Sequence, residues 1–259
     1  MNKNIIRQVC VVLAIIATIA LNILANALPF NNIDTGTISD SFPLYITPAG
    51  YVFAIWGLIY LGLLAFATYQ ALPSQRENPR LQATGWLLVW SCIANIAWLF
   101  CWHYGFQTGW FWLTEVAMLA LLGLLIMIYL RLGTGKTSVG TAETWAIRVP
   151  ISIYLGWISV ATIANTTIVL YSLGWTGEGI APALTILLLL VATVLGVLML
   201  ARHRDVAYAL VLVWAFIGIG APNMIADNSV VSTTAYILAG FMALAVVVAI
   251  FRKPKREAA

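Results

Sequence analysis

Residues Tyr154–Asn165 read YLGWISVATIAN, a run apolar enough for lipid that still holds a tyrosine, a tryptophan, a threonine and an asparagine. Helical spacing puts Tyr154, Trp157, Ala161 and Asn165 on one face, with Ala164 beside them. Polar and aromatic groups gathered on one side of such a helix predict a face turned toward protein or ligand rather than lipid. The alanines let a second helix or a flat molecule come close.

The rest of the chain places that helix in a membrane. Of 259 residues, 62% are hydrophobic and 8% charged, against about 25% charged in an ordinary soluble domain. At about 20 residues per crossing, eight apolar segments fall near 6–27, 49–72, 82–103, 109–131, 148–171, 180–201, 205–222 and 231–251. The expected fold class is all-α, a polytopic membrane helix bundle of about eight spans. On that count Lys3, Arg7, Arg76, Arg80, Arg131, Lys136, Arg148, Arg202, Arg204 and the terminal RKPKR (252–256) share one face, while Asp34, Asp40, Glu178 and Asp227 lie on the other. The positive-inside rule then predicts cytoplasmic N- and C-termini. The net charge of +4 is a topology signal and gives no reason to invoke nucleic acid.

Three features carry no chemistry of their own. Lys3 and Arg7 precede an apolar run ending in Ala25-Asn26-Ala27, the form of a signal-peptidase site, but the run is long for a leader and is read as a retained first helix. Cys10, Cys92 and Cys101 fall within spans and have neither a disulfide framework nor metal spacing. The connection LGTGKTSVGTAET (132–144) lacks the spacing and strand context of a phosphate-binding loop. By contrast, the outer connection PFNNIDTGTISDSFPLYITP (29–48) is long enough to fold over a bundle's mouth as a lid, with a passive linker as the alternative.

Helical spacing extends the stripe to other spans. Phe53, Trp56 and Tyr60 align in the second, Ser91, Asn95, Trp98 and Trp102 in the third, and Phe111, Glu115 and Met118 in the fourth. Counting depth at 1.5 Å per residue puts Trp56, Asn95, Trp98, Glu115 and Asn165 in the outer half, with Trp157 and Ala161 as a floor near the midplane. Aromatic walls suit a planar apolar body, and amides can orient its polar edge. The candidate ligand-binding residues are therefore Phe53, Trp56, Tyr60, Asn95, Trp98, Glu115, Tyr154, Trp157, Ala161 and Asn165. Glu115 is included because an intramembrane acid is a functional hypothesis by default. Asn22 and Asn26 read as helix–helix glue, and Trp110, Trp112 and Trp175 as interfacial belt residues. His103, between Trp102 and Tyr104, also reads as interfacial. Neither His103 nor His203 sits where it would ligate haem, so no metal or catalytic residue is assigned and no cofactor is required.

These residues resemble the TspO/MBR family of translocator and tryptophan-rich sensory proteins. Its five-helix members carry W-x-P-P-x-x-x-F-x-x-x-W-x-x-L-Y entering helix two, L-N-x-x-W in helix three and P-Y-L-x-W-x-x-F-A-x-x-L-N in helix five. Here Thr47-Pro48 stands at the paired prolines, Trp56 and Tyr60 match the W and Y, and Asn95 and Trp98 match helix three. Tyr154, Leu155, Trp157, Ala161 and Asn165 match helix five at identical spacing. Thr47, Ile153 and Ala164 depart from the pattern, and Phe53 is one place late. The motifs cover about residues 1–172, so the expected organisation is a TspO-like five-helix bundle over 1–172 and three further helices over 173–259.

The resemblance implies a multi-pass protein of the bacterial inner membrane that binds flat hydrophobic ligands, porphyrin-like or sterol-like, under the first loop. In that reading a porphyrin is a ligand rather than a required cofactor, and Trp56 and Trp157 are pocket walls. The alternative is a proton- or ion-coupled secondary transporter, motivated by Glu115 and by Pro222-Asn223 interrupting the seventh span. Light-dependent porphyrin breakdown, also implied by the resemblance, is the enzymatic reading. The expected partners are the lipid bilayer, a hydrophobic small molecule and, through small-residue faces, a second copy in a homodimer.

Overall fold

Five of the predicted segments close into a ring, and the other three dock on its outside. The computed structural model describes residues 2–221 and 228–251; Pro222-Asn223, Asp227 and the terminal RKPKR lie outside them. The long helices are α1 Lys3–Ala27, α2 Ile55–Ala71, α3 Pro79–Thr108, α4 Leu113–Leu132, α5 Val149–Ser172, α6 Ala181–His203, α7 Val206–Gly220 and α8 Ser229–Phe251. A 3-10 turn, Gly50–Ala54, leads into α2, and a π turn, Thr144–Arg148, leads into α5.

Among the described residues, seven helices are long and apolar enough to cross a membrane, while α7 has 15 residues. At 1.5 Å per residue α7 spans about 22 Å, short of a hydrocarbon core of about 30 Å. All eight expected apolar segments are therefore helices, of which the seventh is shorter than a full span. The backbone leaves the helix at Ala221, which is extended.

The sequence sets the helix ends. Asn78 caps α3 by accepting from the Arg80 backbone N–H at 3.1 Å, with Pro79 in the first turn, where its missing N–H is harmless. Asp205 caps α7 through the Tyr208 N–H at 3.0 Å. Arg204, at φ 52°, ends α6 in the left-handed conformation, so α6 turns directly into α7. The fourth helix starts at Leu113, four residues later than expected, which leaves Phe111 in a turn. Its buried stripe is Thr114, Met118, Leu121 and Leu125, so Phe111, Glu115 and Met118 do not form a single helical face.

α1 contacts α2 and α3, α3 contacts α4, α4 contacts α5, and α5 returns to α2. The closed order is α1-α2-α5-α4-α3. Beyond it, α7 packs on α5 and is flanked by α6 and α8, which also touch each other. The described Lys and Arg residues gather at one end of the bundle, here the basic end. Several are tied to backbone carbonyls there: Arg7 Nη2 donates to Arg76 O at 3.0 Å, Arg131 Nη1 to Ala83 O at 2.8 Å and Arg148 Nη2 to Leu132 O at 2.9 Å. Arg80 forms a salt bridge to Glu143 at 2.6 Å. Trp110, Trp112 and Trp175 are exposed, in keeping with belt positions.

The connection 28–49 covers the opposite end. It folds into a turn at Phe30–Asn32 and a short helix, Thr35–Asp40, whose first turn is capped by Asp34 Oδ1 accepting from the Thr37 N–H at 2.9 Å. Its own Ile38, Phe42, Leu44 and Ile46 are buried, with Phe42 against Phe106, Phe111 and Tyr171. Apolar anchors of that size favour a lid over a passive linker.

Candidate functional site

Beneath the lid, aromatic side chains from separate helices meet around one hollow. Trp56 stacks on Tyr60, with ring centroids 5.7 Å apart, and meets Tyr154 and Trp157 edge-on at 6.1 and 6.3 Å. Phe53 meets Trp157 edge-on at 6.0 Å, and Trp98 stacks on Trp102 at 5.1 Å. The edge-on and offset geometries are those favoured by the aromatic quadrupole. Together they enclose a cavity of about 60 Å³ whose lining includes Phe53, Trp56, Trp98, Trp157, Ala161 and Asn165. Against it lies a more open vestibule of about 600 Å³, lined by Asn22 and Asn26 of α1, Tyr60 of α2 and Asp34 and Asp40 of the lid. Thr35, Phe53, Trp56 and Trp98 line both.

A hydrogen-bonded amide network holds these rings from behind. Asn22 Nδ2 donates to Asn95 Oδ1 at 2.8 Å, and Asn95 Nδ2 donates to the Tyr154 hydroxyl oxygen at 3.0 Å, linking α1, α3 and α5. Trp98 Nε1 donates to Asn165 Oδ1 at 3.0 Å. Asn165 Nδ2 in turn donates to Glu115 Oε2 at 2.7 Å and to Thr114 Oγ1 at 3.2 Å. Thr166 Oγ1 donates to Glu115 Oε1 at 2.7 Å. Buried polar groups in hydrocarbon require such partners, and here the partners fix the side-chain directions around the cavity.

The ten sequence candidates thus divide by position. Phe53, Trp56, Trp98, Trp157, Ala161 and Asn165 line the chamber, and Tyr60 lines the vestibule. Asn95 and Tyr154 are buried one layer behind as braces. Glu115, in the first turn of α4, braces Asn165 and Thr166. Sequence reasoning left Thr35, Ser39, Pro48, Trp102 and Met118 out of the site, although all line the chamber. Trp102 and Met118 carried a detectable signal, each sharing a proposed face with a selected residue.

His103 corrects the interfacial expectation. It is 0% exposed and clamps the lid: Phe30 O lies 3.2 Å from Nδ1 and Thr35 Oγ1 lies 3.1 Å from Nε2. A carbonyl only accepts, so Nδ1 carries the proton and Nε2 of the neutral ring accepts from the threonine hydroxyl. Trp102 Nε1 adds a bond to Thr35 O at 3.2 Å, and Asn31 Nδ2 donates to His103 O at 3.3 Å. The lid seats an imidazole that a bare helix end would leave in the headgroup region.

Two lid acids edge the vestibule. Bonds from the Thr37 hydroxyl and backbone N–H hold the Asp34 carboxyl below the usual carboxylate range, while desolvation and the Asp34 charge raise Asp40.

A closed five-helix ring around an aromatic chamber, lidded at one end and extended by three helices, defines an integral multi-pass membrane protein. The chain belongs to the TSPO-like protein family, whose sequence profile matches residues 8–248. The matched residues run from α1 into α8, past residue 172 where the motif resemblance stops. No curated protein and no solved structure matches the chain.

Proposed function

We propose that this protein is a membrane-embedded binding or sensory protein that takes a flat hydrophobic molecule, of porphyrin or sterol type, into the vestibule and wedges one edge of it between Trp56, Trp98 and Trp157. The observation that carries this reading is that the chamber and the vestibule adjoin, with Thr35, Phe53, Trp56 and Trp98 lining both. Alone, the chamber is far smaller than the roughly 300–1,000 Å³ of typical ligand sites; the vestibule supplies that room. Trp157 Nε1 is buried with no hydrogen-bond partner among the described residues, so an acceptor on the ligand edge would satisfy it.

The rim narrows the ligand class. Asp34 and Asp40 line the vestibule and repel carboxylates, so an uncharged flat molecule enters more readily than a dicarboxylic porphyrin. The transport alternative draws less support, because Glu115 is engaged by Asn165 and Thr166 and is not among the residues lining either space. Titration of the purified protein with protoporphyrin IX and with its dimethyl ester, followed by tryptophan quenching, tests the proposal. The expected result is saturable quenching by both, tighter for the ester, and lost in Trp157→Ala. Linear, non-saturating quenching that Trp157→Ala leaves unchanged would reject it.

A further inference from the structure

On the outside of the ring, α2, α5 and α7 leave an apolar groove of about 630 Å³, walled by residues including Leu58, Trp145, Ile153, Leu210 and Trp214. It does not reach the chamber, with which it shares no lining residue. Trp214 Nε1 donates to Val52 O at 3.0 Å, joining α7 to the turn before α2 at the lid side. From Val206 to Trp214 the groove follows α7 for about 12 Å at 1.5 Å per residue.

Toward the basic end the groove changes character. Val149, Val206 and Ala207 line both it and a polar pocket of about 530 Å³. That pocket is lined by Lys136, Arg148, His203 and Arg204, by hydroxyl residues including Thr134, Thr137, Ser138, Thr144 and Ser152, and by one acid, Asp205. Both Asp205 carboxylate oxygens are engaged, Oδ2 by the Ser152 hydroxyl at 2.6 Å and Oδ1 by the Tyr208 N–H at 3.0 Å. Three cations against one acid leave the pocket net positive. Lys136 is exposed there, with its charge available to an incoming group.

An apolar slot along the bilayer that opens into a cationic, hydroxyl-rich pocket matches one molecule end to end. We propose that this seam between the five-helix ring and the three added helices is a binding site for an anionic phospholipid, with an acyl chain in the groove and the phosphate headgroup in the pocket. Basic pockets between membrane helices recognise anionic headgroups in this way. The added helices supply half of the site, since α7 forms one wall of the groove and the α6–α7 turn one side of the pocket. The inference is independent of the ligand chosen for the chamber.

Native mass spectrometry of the delipidated full-length protein, mixed with phosphatidylglycerol or phosphatidylcholine micelles, tests it. Phosphatidylglycerol is expected to remain bound under activation that strips phosphatidylcholine. Lys136→Ala is expected to weaken retention about fivefold, and Ala207→Trp, which blocks the junction, to abolish it. Leu58→Trp, filling the groove from the opposite wall, repeats that result should Ala207→Trp fail to fold. Equal retention of the two lipids, or no effect of the groove variants, overturns the proposal. So does competition by free glycerol phosphate as effective as by the lipid, which would mark a soluble-anion pocket. A delipidated dimer broken by Leu58→Trp would show that a second copy covers the groove instead.

Discussion

The ring and the three added helices solve the same packing problem by different means. Inside the ring, side-chain amides and hydroxyls cross from helix to helix, as in Asn22 to Asn95 to Tyr154 and Trp98 to Asn165 to Glu115. In the added helices the hydroxyls of Thr185, Thr193 and Thr234 donate back to carbonyls of their own helix, four residues earlier. Contact there is made by shape. α8 buries Val231, Ala235, Ala239, Met242 and Val246 at helical spacing, and Gly196 leaves room for Leu212 and Met242. Directional bonds hold the chamber open against collapse, whereas small-residue packing closes the contacts among α6, α7 and α8. Within the ring, polar linkage therefore accompanies the hollow.

That contrast can be broken most strongly at Trp157. Its replacement by alanine is expected to lower stability by about 3–5 kcal/mol, measured by chemical unfolding in detergent. A loss below about 1 kcal/mol would mean that the ring is not packed around this indole. Next is Gly156, where α5 meets α7. An added Cβ would lie 3.1 Å from Val211 Cβ and 3.2 Å from Tyr208 O, so Gly156→Leu should cost about 1–3 kcal/mol by overpacking. Gly240→Leu, with nothing within 4 Å of the new Cβ, should leave the unfolding midpoint unchanged.

A paired test at Asn95 and Thr193 sharpens the comparison directly. Asn95→Leu removes two bonds between helices, expected to cost about 1 kcal/mol in total. Thr193→Val removes only a bond within its own helix and should cost less than half as much. Equal losses in the two variants would erase the distinction between the regions. The smallest effect concerns the lid. Because the Asp34 pKa is lowered on folding, its stabilisation is fully present above the ordinary carboxylate pKa and is lost as pH falls through the lower folded value. Amide exchange in residues 35–40, corrected for the intrinsic rate, should accelerate below about pH 4 and should do so at neutral pH in Asp34→Ala.

Much of this site was legible because helical spacing is a strong constraint. Phe53, Trp56, Trp98, Trp157, Ala161 and Asn165 were selected by three- and four-residue intervals, and all line one cavity. The length of the first outer connection suggested a lid but left a passive linker equally open; its buried Ile38, Phe42, Leu44 and Ile46 decide between them. What failed to show depended on partners distant in sequence. His103 reads as interfacial between Trp102 and Tyr104, and only the fold of residues 30–35 reveals it as buried. Glu115 gave no sign of whether it faced the cavity or braced Asn165, since that turned on α4 starting at Leu113. The junction of groove and basic pocket was equally hidden, because it joins Lys136, Arg148 and Ala207 from three separate parts of the chain.

One geometrical fact about α3 reaches further. Asn95, Trp98, Trp102 and His103 sit on a single 30-residue helix: Asn95 ties down α1 and α5, Trp98 and Trp102 line the cavity, and His103 grips the cover. Mounted on one shaft, these four groups share any rotation of α3; for a protein that binds as proposed, a turn that widened the hollow for a bulkier guest would also loosen the latch above it, gearing admission and fit to a single axis.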